Sequence, residues 1–463
     1  MSAAVTPPRA DLNPLTGLLR GARTDPLDFF VNLGRGRDIV ELPNPTGKFY
    51  LVNDPEMIGR VLEGNYRNYP KSDYYHRVRA LFGEGLFELE GEEWKKKRQA
   101  VQRPFHRPNI EPLVGLMAQE IEALFDAWEA KAETGEAFDI CPSLMTLTLS
   151  VISRALCGSR VDADMAELAD ALAIVMREGE KILWSLAPAL HRLPTPNHFK
   201  VRRAMAVIDG MIHRLVKSRI DSGEHHGDLL DTLLSQRDEA GEPVSLRVIR
   251  DDLLTMLIAG HETTAVAIGW ATAAMSRNPY VAARLKAEAD QALGHRPPTA
   301  ADLRNLPYAA WTFQEAIRLF PPFWTISRGA AAADELTGQD GRRYAIPKGA
   351  TLMLCPYVTH RNAKHWRNPE AFMPERFAPE QAAGRHKWAY LPFGGGPRAC
   401  LGKHFAMIEG QLYLAMLARR FTLHLEPGQK LAAEAMISLR PQAGIHMTVH
   451  RAEDWAGMRV AAE

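Results

Sequence analysis

The longest regular pattern in the chain runs from residue 246 to 277. It predicts one helix, about 45 Å long at 1.5 Å per residue, and between Leu253 and Ala274 it is apolar on most sides. A helix without a polar face has to run through a core. The stretches 163–180 and 198–220 are apolar on one face only and predict amphipathic helices. An apolar linker with Trp184, Leu186, Pro188, Leu193 and Pro194 lies between them. Alternation marks strands instead. Residues 38–52 alternate around Pro43-Asn44-Pro45-Thr46-Gly47 and predict a hairpin; 341–358 predict strands around Ile346-Pro347-Lys348-Gly349; 430–450 predict a hairpin turning near Pro441 to Gly444. Asn53-Asp54-Pro55 joins an N-cap to a proline in the first turn and opens a helix. Residues 70–91, rich in glycine and aromatics, read as a loop, helical periodicity dominates from Glu92 to about residue 320, and 401–420 forms a further helix. The fold class is mainly α, a large helical body with a small β-rich part.

Composition narrows the class. Of the 463 residues, 46% are hydrophobic and 24% charged, an ordinary soluble balance, and a net charge of +1 carries no bias toward nucleic acid. Length alone allows two to three domains. No Ser/Gly linker, repeat or low-complexity stretch divides the chain, so 1–463 is expected to be a single domain, with 1–20 as a flexible tail. The four cysteines, Cys141, Cys157, Cys355 and Cys400, lack paired spacing, which fits a reducing, cytoplasmic compartment. Residues 1–19 hold no apolar run long enough for a signal peptide or a membrane anchor. His225-His226-Gly227 reads as a solvated turn rather than a metal site.

Cys400 stands in Phe393-Gly394-Gly395-Gly396-Pro397-Arg398-Ala399-Cys400-Leu401-Gly402, ahead of a helical pattern. Free backbone N–H groups at a helix start, and a nearby cation such as Arg398, lower a thiol pKa. The glycines let the backbone turn sharply and let something large and flat come close. Such a thiolate is a nucleophile, a metal ligand or the axial ligand of a heme; the bland alternative is a glycine-rich turn with an inert cysteine. The loop resembles the heme-binding signature of the cytochromes P-450, F-x-x-G-x-R-x-C-x-G, with Phe393, Gly396, Arg398, Cys400 and Gly402 at its fixed positions.

Three further strings are similar to elements of that family, in the family's order. Inside the long helix, Ala259-Gly260-His261-Glu262-Thr263-Thr264 places a glycine, an acid and two hydroxyls where a helix core does not favour them. It resembles the [AG]-G-x-[DE]-T-T oxygen-activation motif. The resemblance implies a kink with room for dioxygen, Thr263 as the hydroxyl beside it and Glu262 as the proton-relay acid, and gives His261 no role. Glu315-Ala316-Ile317-Arg318 with Pro374-Glu375-Arg376-Phe377 resembles the E-x-x-R and P-E-R-F elements, implying a structural triad of Glu315, Arg318 and Arg376 that holds the Cys400 loop. Trp94-Lys95-Lys96-Lys97-Arg98 resembles the W-x-x-x-R helix. By resemblance, Trp94, Arg98, Arg328 and Arg398 would hold the heme propionates.

The resemblance implies heme b, iron protoporphyrin IX, with Cys400 on the iron, and insertion of one oxygen atom from O2 into a hydrophobic substrate such as a fatty acid, terpenoid or polyketide-like compound. With no room for a flavin or iron–sulfur domain, electrons are expected from a ferredoxin or flavodoxin with its reductase, docking on Lys95, Lys96, Lys97, Arg103, Arg107 and Lys403. Family position makes Phe82, Leu86, Phe87, Leu257, Ile258, Ala259, Phe323, Ile326 and Ile437 pocket candidates, all apolar; Tyr74, Tyr75 or Arg77 would have to anchor any carboxylate. Phe82-Gly83-Glu84-Gly85-Leu86-Phe87 and Met436-Ile437-Ser438-Leu439-Arg440-Pro441 resemble bacterial fatty-acid hydroxylases of the family, while 110–240 resembles it least. The rivals are a peroxide-driven enzyme, a non-catalytic heme-binding sensor and a zinc protein using Cys400, His404, His360 and His365.

Overall fold

A computed structural model describes residues 4–13, 25–44, 47–158, 165–185, 191, 193–238 and 240–452. Its longer helices are α1 (Pro26–Gly34), α2 (Gly91–Val101), α3 (Val114–Thr134), α4 (Cys141–Cys157), α5 (Met165–Trp184), α6 (Pro196–Ser222), α7 (Leu246–Ser276), α8 (Pro279–Leu293), α9 (Pro307–Leu319) and α10 (Lys403–Arg420). The strands are β1 (Ile39–Leu42), β2 (Phe49–Val52), β3 (Phe138–Asp139), β4 (Ile326–Gly329), β5 (Asp334–Thr337), β6 (Arg343–Ile346), β7 (Thr351–Leu354), β8 (Phe421–Leu425), β9 (Ala433–Ala435), β10 (Leu439–Pro441) and β11 (His446–Arg451). The chain falls into two compact units, each built from two separated stretches, so neither is a sequential domain.

The first unit comprises Met1–His76 and Glu315–Cys400. Its sheet has the order β1-β2-β7-β4. β1 and β2 form the predicted hairpin with Ile39 opposite Val52, although Pro45 and Thr46 of its turn lie outside the described residues. β2 runs parallel to β7, and β4 closes the sheet antiparallel to β7. Tyr50, Val52, Leu352 and Leu354 pack from the sheet onto Met57, Val61, Trp388 and Leu391. Asp54 caps the helix Pro55–Gly59 by accepting the N–H groups of Glu56 and Met57 at 2.9 and 3.1 Å. The N-terminal stretch differs from the free tail expected over 1–20. Val5 N–H donates to the Arg343 carbonyl at 2.9 Å, and Ala10 and Pro8 bond to Glu41 of β1 at 2.8 Å each. Those backbone bonds tie residues 5–10 to the strands.

The second unit comprises Arg77–Gln314 and Leu401–Glu463. Helix α7 is its axis. Ser245 caps it, its hydroxyl accepting Val248 N–H, and α4 lies along it. That packing is close enough to need Gly260, where a Cβ would sit 2.8 Å from the Ile152 side chain. The Thr148 hydroxyl donates to the His261 carbonyl at 2.9 Å across the same contact.

Local expectations are corrected in four places. Residues 70–91 hold two short helices, Asp73–His76 and Arg79–Phe82. The closing helix starts at Lys403, with Gly402 as its N-cap. The C-terminal hairpin turns at 436–438, pairing Leu439 with Ala435, whereas β11 pairs with β8 and β3. Alternation through 430–450 thus spans two sheets, and periodicity alone does not say which strand is the partner. Of the apolar linker, Leu186 and Pro188 lie outside the described residues, while Leu193 is exposed.

Candidate active site

The Cys400 loop closes on itself in the first unit: Cys400 N–H donates to the Phe393 carbonyl at 2.9 Å. Gly394 and Gly396 adopt φ of 63° and 65°, a region that penalises any Cβ. A Cβ on Gly396 would also collide with the Leu62 carbonyl, and one on Gly395 with the Trp388 ring. Trp388 fills the space on its other side against Gly59, where a Cβ is likewise excluded. The glycines therefore let the loop sit down on Trp388 and residues 62–63 while Cys400 stays exposed. Arg398 is half-buried in the same loop. Arg328, on β4, is buried and donates to the Ser327 carbonyl at 2.9 Å.

Glu315, Arg318 and Arg376 are brought together in this unit. Arg318 grips Glu315 with two bonds of 2.7 and 2.9 Å, and Arg376 Nε reaches the same carboxylate at 2.9 Å. Glu315 also accepts Met373 N–H at 2.9 Å. One carboxylate does not balance two guanidiniums, and backbone carbonyls take the surplus donors. Arg318 bonds the carbonyls of His360, Pro369 and Ala371, and Arg376 those of Arg367, Asn368 and Ala371. The Trp366 ring lies 5.1 Å from Arg318, 5.8 Å from Arg376 and 4.3 Å from Arg385, within cation–π range of all three.

The oxygen-motif string lies on α7 in the second unit. The helix is continuous through Gly260, and this glycine leaves room for the Ile152 side chain. The Thr263 hydroxyl donates to the Ala259 carbonyl at 2.6 Å. Ala259 is exposed and Ile258 and Thr263 half-buried, whereas Leu257 is only 1% exposed and packs into the core instead of lining an open face. Glu262 differs from a free relay acid beside Thr263. It is buried, and one carboxylate oxygen accepts both the Ser438 hydroxyl and Arg440 Nε, the latter at 2.6 Å. Burial pushes this carboxyl up, but the hydrogen bond and charge of Arg440, with the Ser438 hydroxyl, win and hold it below the usual range. Glu180 of α5 feels the same groups. Burial raises it to about 7, with Arg440 opposing and Glu434 and Glu262 adding to the rise. Burial pulls His261 down to about 4, so its imidazole is neutral at neutral pH.

Of the other candidates in this unit, Trp94 is buried on α2 and Arg98 stacks over it at 5.9 Å. Phe82 and Leu86 are buried, Phe87 is exposed, and Ile437 is half-buried in the turn of the β9–β10 hairpin. Phe323 and Ile326, half-buried, belong to the first unit.

The cytochrome P450 family model matches residues 7–448. The chain belongs to the cytochrome P450 family. It is 34% identical to cyclooctatin synthase and 32% identical to cyclooctat-9-en-7-ol 5-monooxygenase, both of Streptomyces melanosporofaciens. The alignments cover 92% of each chain in the first case, and 90% of this chain and 89% of the relative in the second. Among solved structures, the cytochrome P450DA heme domain superposes with a TM-score of 0.85 at 25% identity, over 97% of this chain and 98% of that one. The protein is a cytochrome P450 monooxygenase.

Heme iron is the cofactor this family implies, and the cysteines of this P450 fit it. Burial pushes the thiols of Cys141, Cys157 and Cys355 up to about 12, out of reach of thiolate chemistry near neutrality. Cys400 alone of the four is exposed, on a loop whose glycines let it sit down on Trp388 and Leu62. Zinc fits poorly. His360 has both ring nitrogens engaged, Nδ1 donating to the Arg318 carbonyl at 3.0 Å and Nε2 accepting Leu391 N–H at 2.9 Å. Among the described residues no helix is long and apolar enough to cross a membrane.

Several residues escaped sequence reasoning. Ser438 and Arg440 stood in a recognised string, yet nothing in sequence pairs a hairpin cation with a helix acid 178 positions away. Trp366 and Trp388 carried no motif. Lys97, expected among the docking cations, is instead drawn inward to the buried Asp252 at 2.7 Å. Lys95, Lys96, Arg103, Arg107 and Lys403 remain exposed.

Proposed function

We propose that this P450 oxygenates a compact, hydrocarbon-rich compound of terpenoid type rather than a fatty acid, with electrons from a separate ferredoxin or flavodoxin and its reductase. The observation that carries the reading is the accessible strip of α7: Ile258 and Ala259 are apolar, Thr263 offers one hydroxyl, and the adjacent charge of Glu262 is held by Arg440. Such a strip favours a neutral apolar ligand, because a carboxylate would be desolvated there without a partner. The candidate anchor Arg77 is engaged, its Nη1 donating to the Leu183 and Ser185 carbonyls at 3.0 Å each. The reading is also supported by the relative whose name gives its substrate as cyclooctat-9-en-7-ol, an unsaturated alcohol.

The reaction balances as R–H + O2 + two electrons + two protons giving R–OH + H2O. Cys400 would hold the heme iron, and the group would supply the chemistry of O2 reduction and cleavage, which a thiolate ligand favours. The chain's own residues do the rest. Thr263 offers a hydroxyl for proton transfer, and Glu262 is the acid behind it, kept ionised by Arg440. Ile258 and Ala259 give the substrate an apolar surface. Glu315, Arg318 and Arg376 hold the segment that leads to the Cys400 loop. His404, which feels Lys403, Arg107 and His106, marks a basic surface suited to an acidic electron donor.

The test is a titration of heme-loaded protein with cyclooctat-9-en-7-ol and, separately, lauric acid, read by the heme absorbance change when bound water is displaced. Turnover with NADPH, ferredoxin and ferredoxin reductase follows. The alkenol is expected to shift the spectrum and give a product heavier by one oxygen atom. A shift with lauric acid alone would sink the terpenoid reading.

A further inference from the structure

The segment from Phe82 to Glu90, which carries the pocket candidates Phe82, Leu86 and Phe87, is held by two consecutive acids of α7. At its start, the Asp251 carboxylate accepts Glu84 N–H at 2.9 Å, and a Cβ on Gly83 would collide with that carboxylate. In its middle, a Cβ on Gly85 would collide with the Thr255 hydroxyl and lie 2.7 Å from the Asp251 carbonyl. Thr255 is itself fixed, its hydroxyl donating to that carbonyl at 2.8 Å. Beyond its end, α2 is fastened to α7 by the ion pair of Lys97 and Asp252 at 2.7 Å. The side-chain accessibilities of that pair are 13% and 1%, so it is not the kind of exposed pair that contributes little. Phe82 closes the other side, against Gly179 of α5. Asp251 is in turn aimed by Arg250 at 2.7 Å, and Arg250 is held by Asp209 of α6 at 2.7 Å.

Two adjacent buried carboxylates are an expensive choice for a helix core, and neither belongs to the oxygen motif. Replacing buried ionic groups by hydrophobic residues of similar volume is often neutral or stabilising, so packing alone does not call for acids here. Acids at these positions do something apolar residues do not: by accepting a backbone N–H and an ammonium group they specify one placement of a loop whose glycines leave its backbone free to take others. We infer that Asp251 and Asp252 are positioning residues which, through Glu84 N–H and through Lys97, fix the placement of the Phe82–Phe87 loop and thereby the position at which the substrate is oxidised. They touch no substrate. Small displacements of a substrate-facing loop are enough, because about 1 Å of misplacement can change a rate about 100-fold.

The product-ratio arm rests on the proposed substrate reading; a second arm does not. The variants Asp251→Ala, Asp251→Asn, Lys97→Met, Lys97→Arg and Gly85→Ala are made in the full chain and matched for heme content. Amide hydrogen exchange is read over residues 82–90, with α10 as control. Asp251→Ala should speed exchange there about tenfold, the loss of one hydrogen bond to a charged group, with Asp251→Asn between it and parent. With cyclooctat-9-en-7-ol as probe, Asp251→Ala, Lys97→Met and Gly85→Ala should each change the ratio of oxygenated isomers about threefold or more, and Lys97→Arg should restore the parent ratio. Parent exchange and parent ratios in all three disruptive variants would overturn the inference. If Asp251→Ala does not accumulate, Lys97→Met and Gly85→Ala decide it, since both leave the Asp251 carboxylate in place. If the parent enzyme makes no product from the probe, the substrate reading fails and the exchange arm alone decides the inference.

Discussion

Replacing Arg440 by Met keeps an unbranched apolar stem and removes the guanidinium with its charge, leaving Glu262 as a carboxylate with 4% of its surface exposed and only Ser438 as a partner. Breaking a buried pair costs about 3–5 kcal/mol. The Arg440 side chain is 19% accessible, which puts this pair at the lower end, about 3 kcal/mol. For 463 residues, an unfolding entropy of about 2.1 cal/mol/K per residue sums to about 1 kcal/mol/K, so the expected loss is about 3 °C in Tm. The loss depends on pH. In the parent, Arg440 holds the Glu262 carboxyl low, so its stabilisation is present above the unfolded carboxyl range and fades as pH falls through the folded value. In the variant, burial holds the carboxyl high, and stability is lost as pH rises. The gap between the two proteins should therefore be full at about pH 8 and small at about pH 5. Thermal scans by circular dichroism at matched heme loading measure it, and Arg440→Met with Glu262→Gln should recover most of the loss at the higher pH. An equal gap at both pH values, or no recovery in the double variant, would refute a charge on Glu262 sustained by Arg440.

Three further outcomes are expected. Reduced protein with carbon monoxide should absorb at about 450 nm, and Cys400→His should abolish the band; a surviving band would mean that another residue holds the iron. Thr263→Ala should retain heme and substrate binding but yield less product and more peroxide per NADPH consumed, and unchanged coupling would remove this hydroxyl from proton delivery. Glu315→Ala strands two buried guanidiniums, at a cost of about 3–5 kcal/mol, and should give little heme-loaded protein; normal heme content would show that the triad is not needed to hold the loop.

Much of the architecture was legible along the chain because it depends on near neighbours. The span of α7, the β1–β2 hairpin and the Asp54 cap follow from periodicity and from residues a few positions apart. The second hairpin was not. Its strands β9 and β10 read like the following β11, and only pairing across the second unit separates them. The short helices within 70–91 have too few residues to show a period.

Sequence by itself determined the family, because the Cys400 loop, the acid–threonine string and the arginine elements each pack their chemistry into a few consecutive residues. It also determined that Cys400 differs from the other cysteines, since glycines and a nearby arginine are local features. Tertiary structure decided which charges are available. Lys97 looks like its neighbours Lys95 and Lys96 until Asp252 is seen beneath it. Glu262 looks like a free acid until the hairpin brings Arg440 to it. Gly260 looks out of place in a helix core until Ile152 fills the space it leaves. In each case the deciding partner is distant in sequence, and burial sets the sign of the effect: a charge that water would screen in an extended chain has to find one specific partner once the fold removes the water.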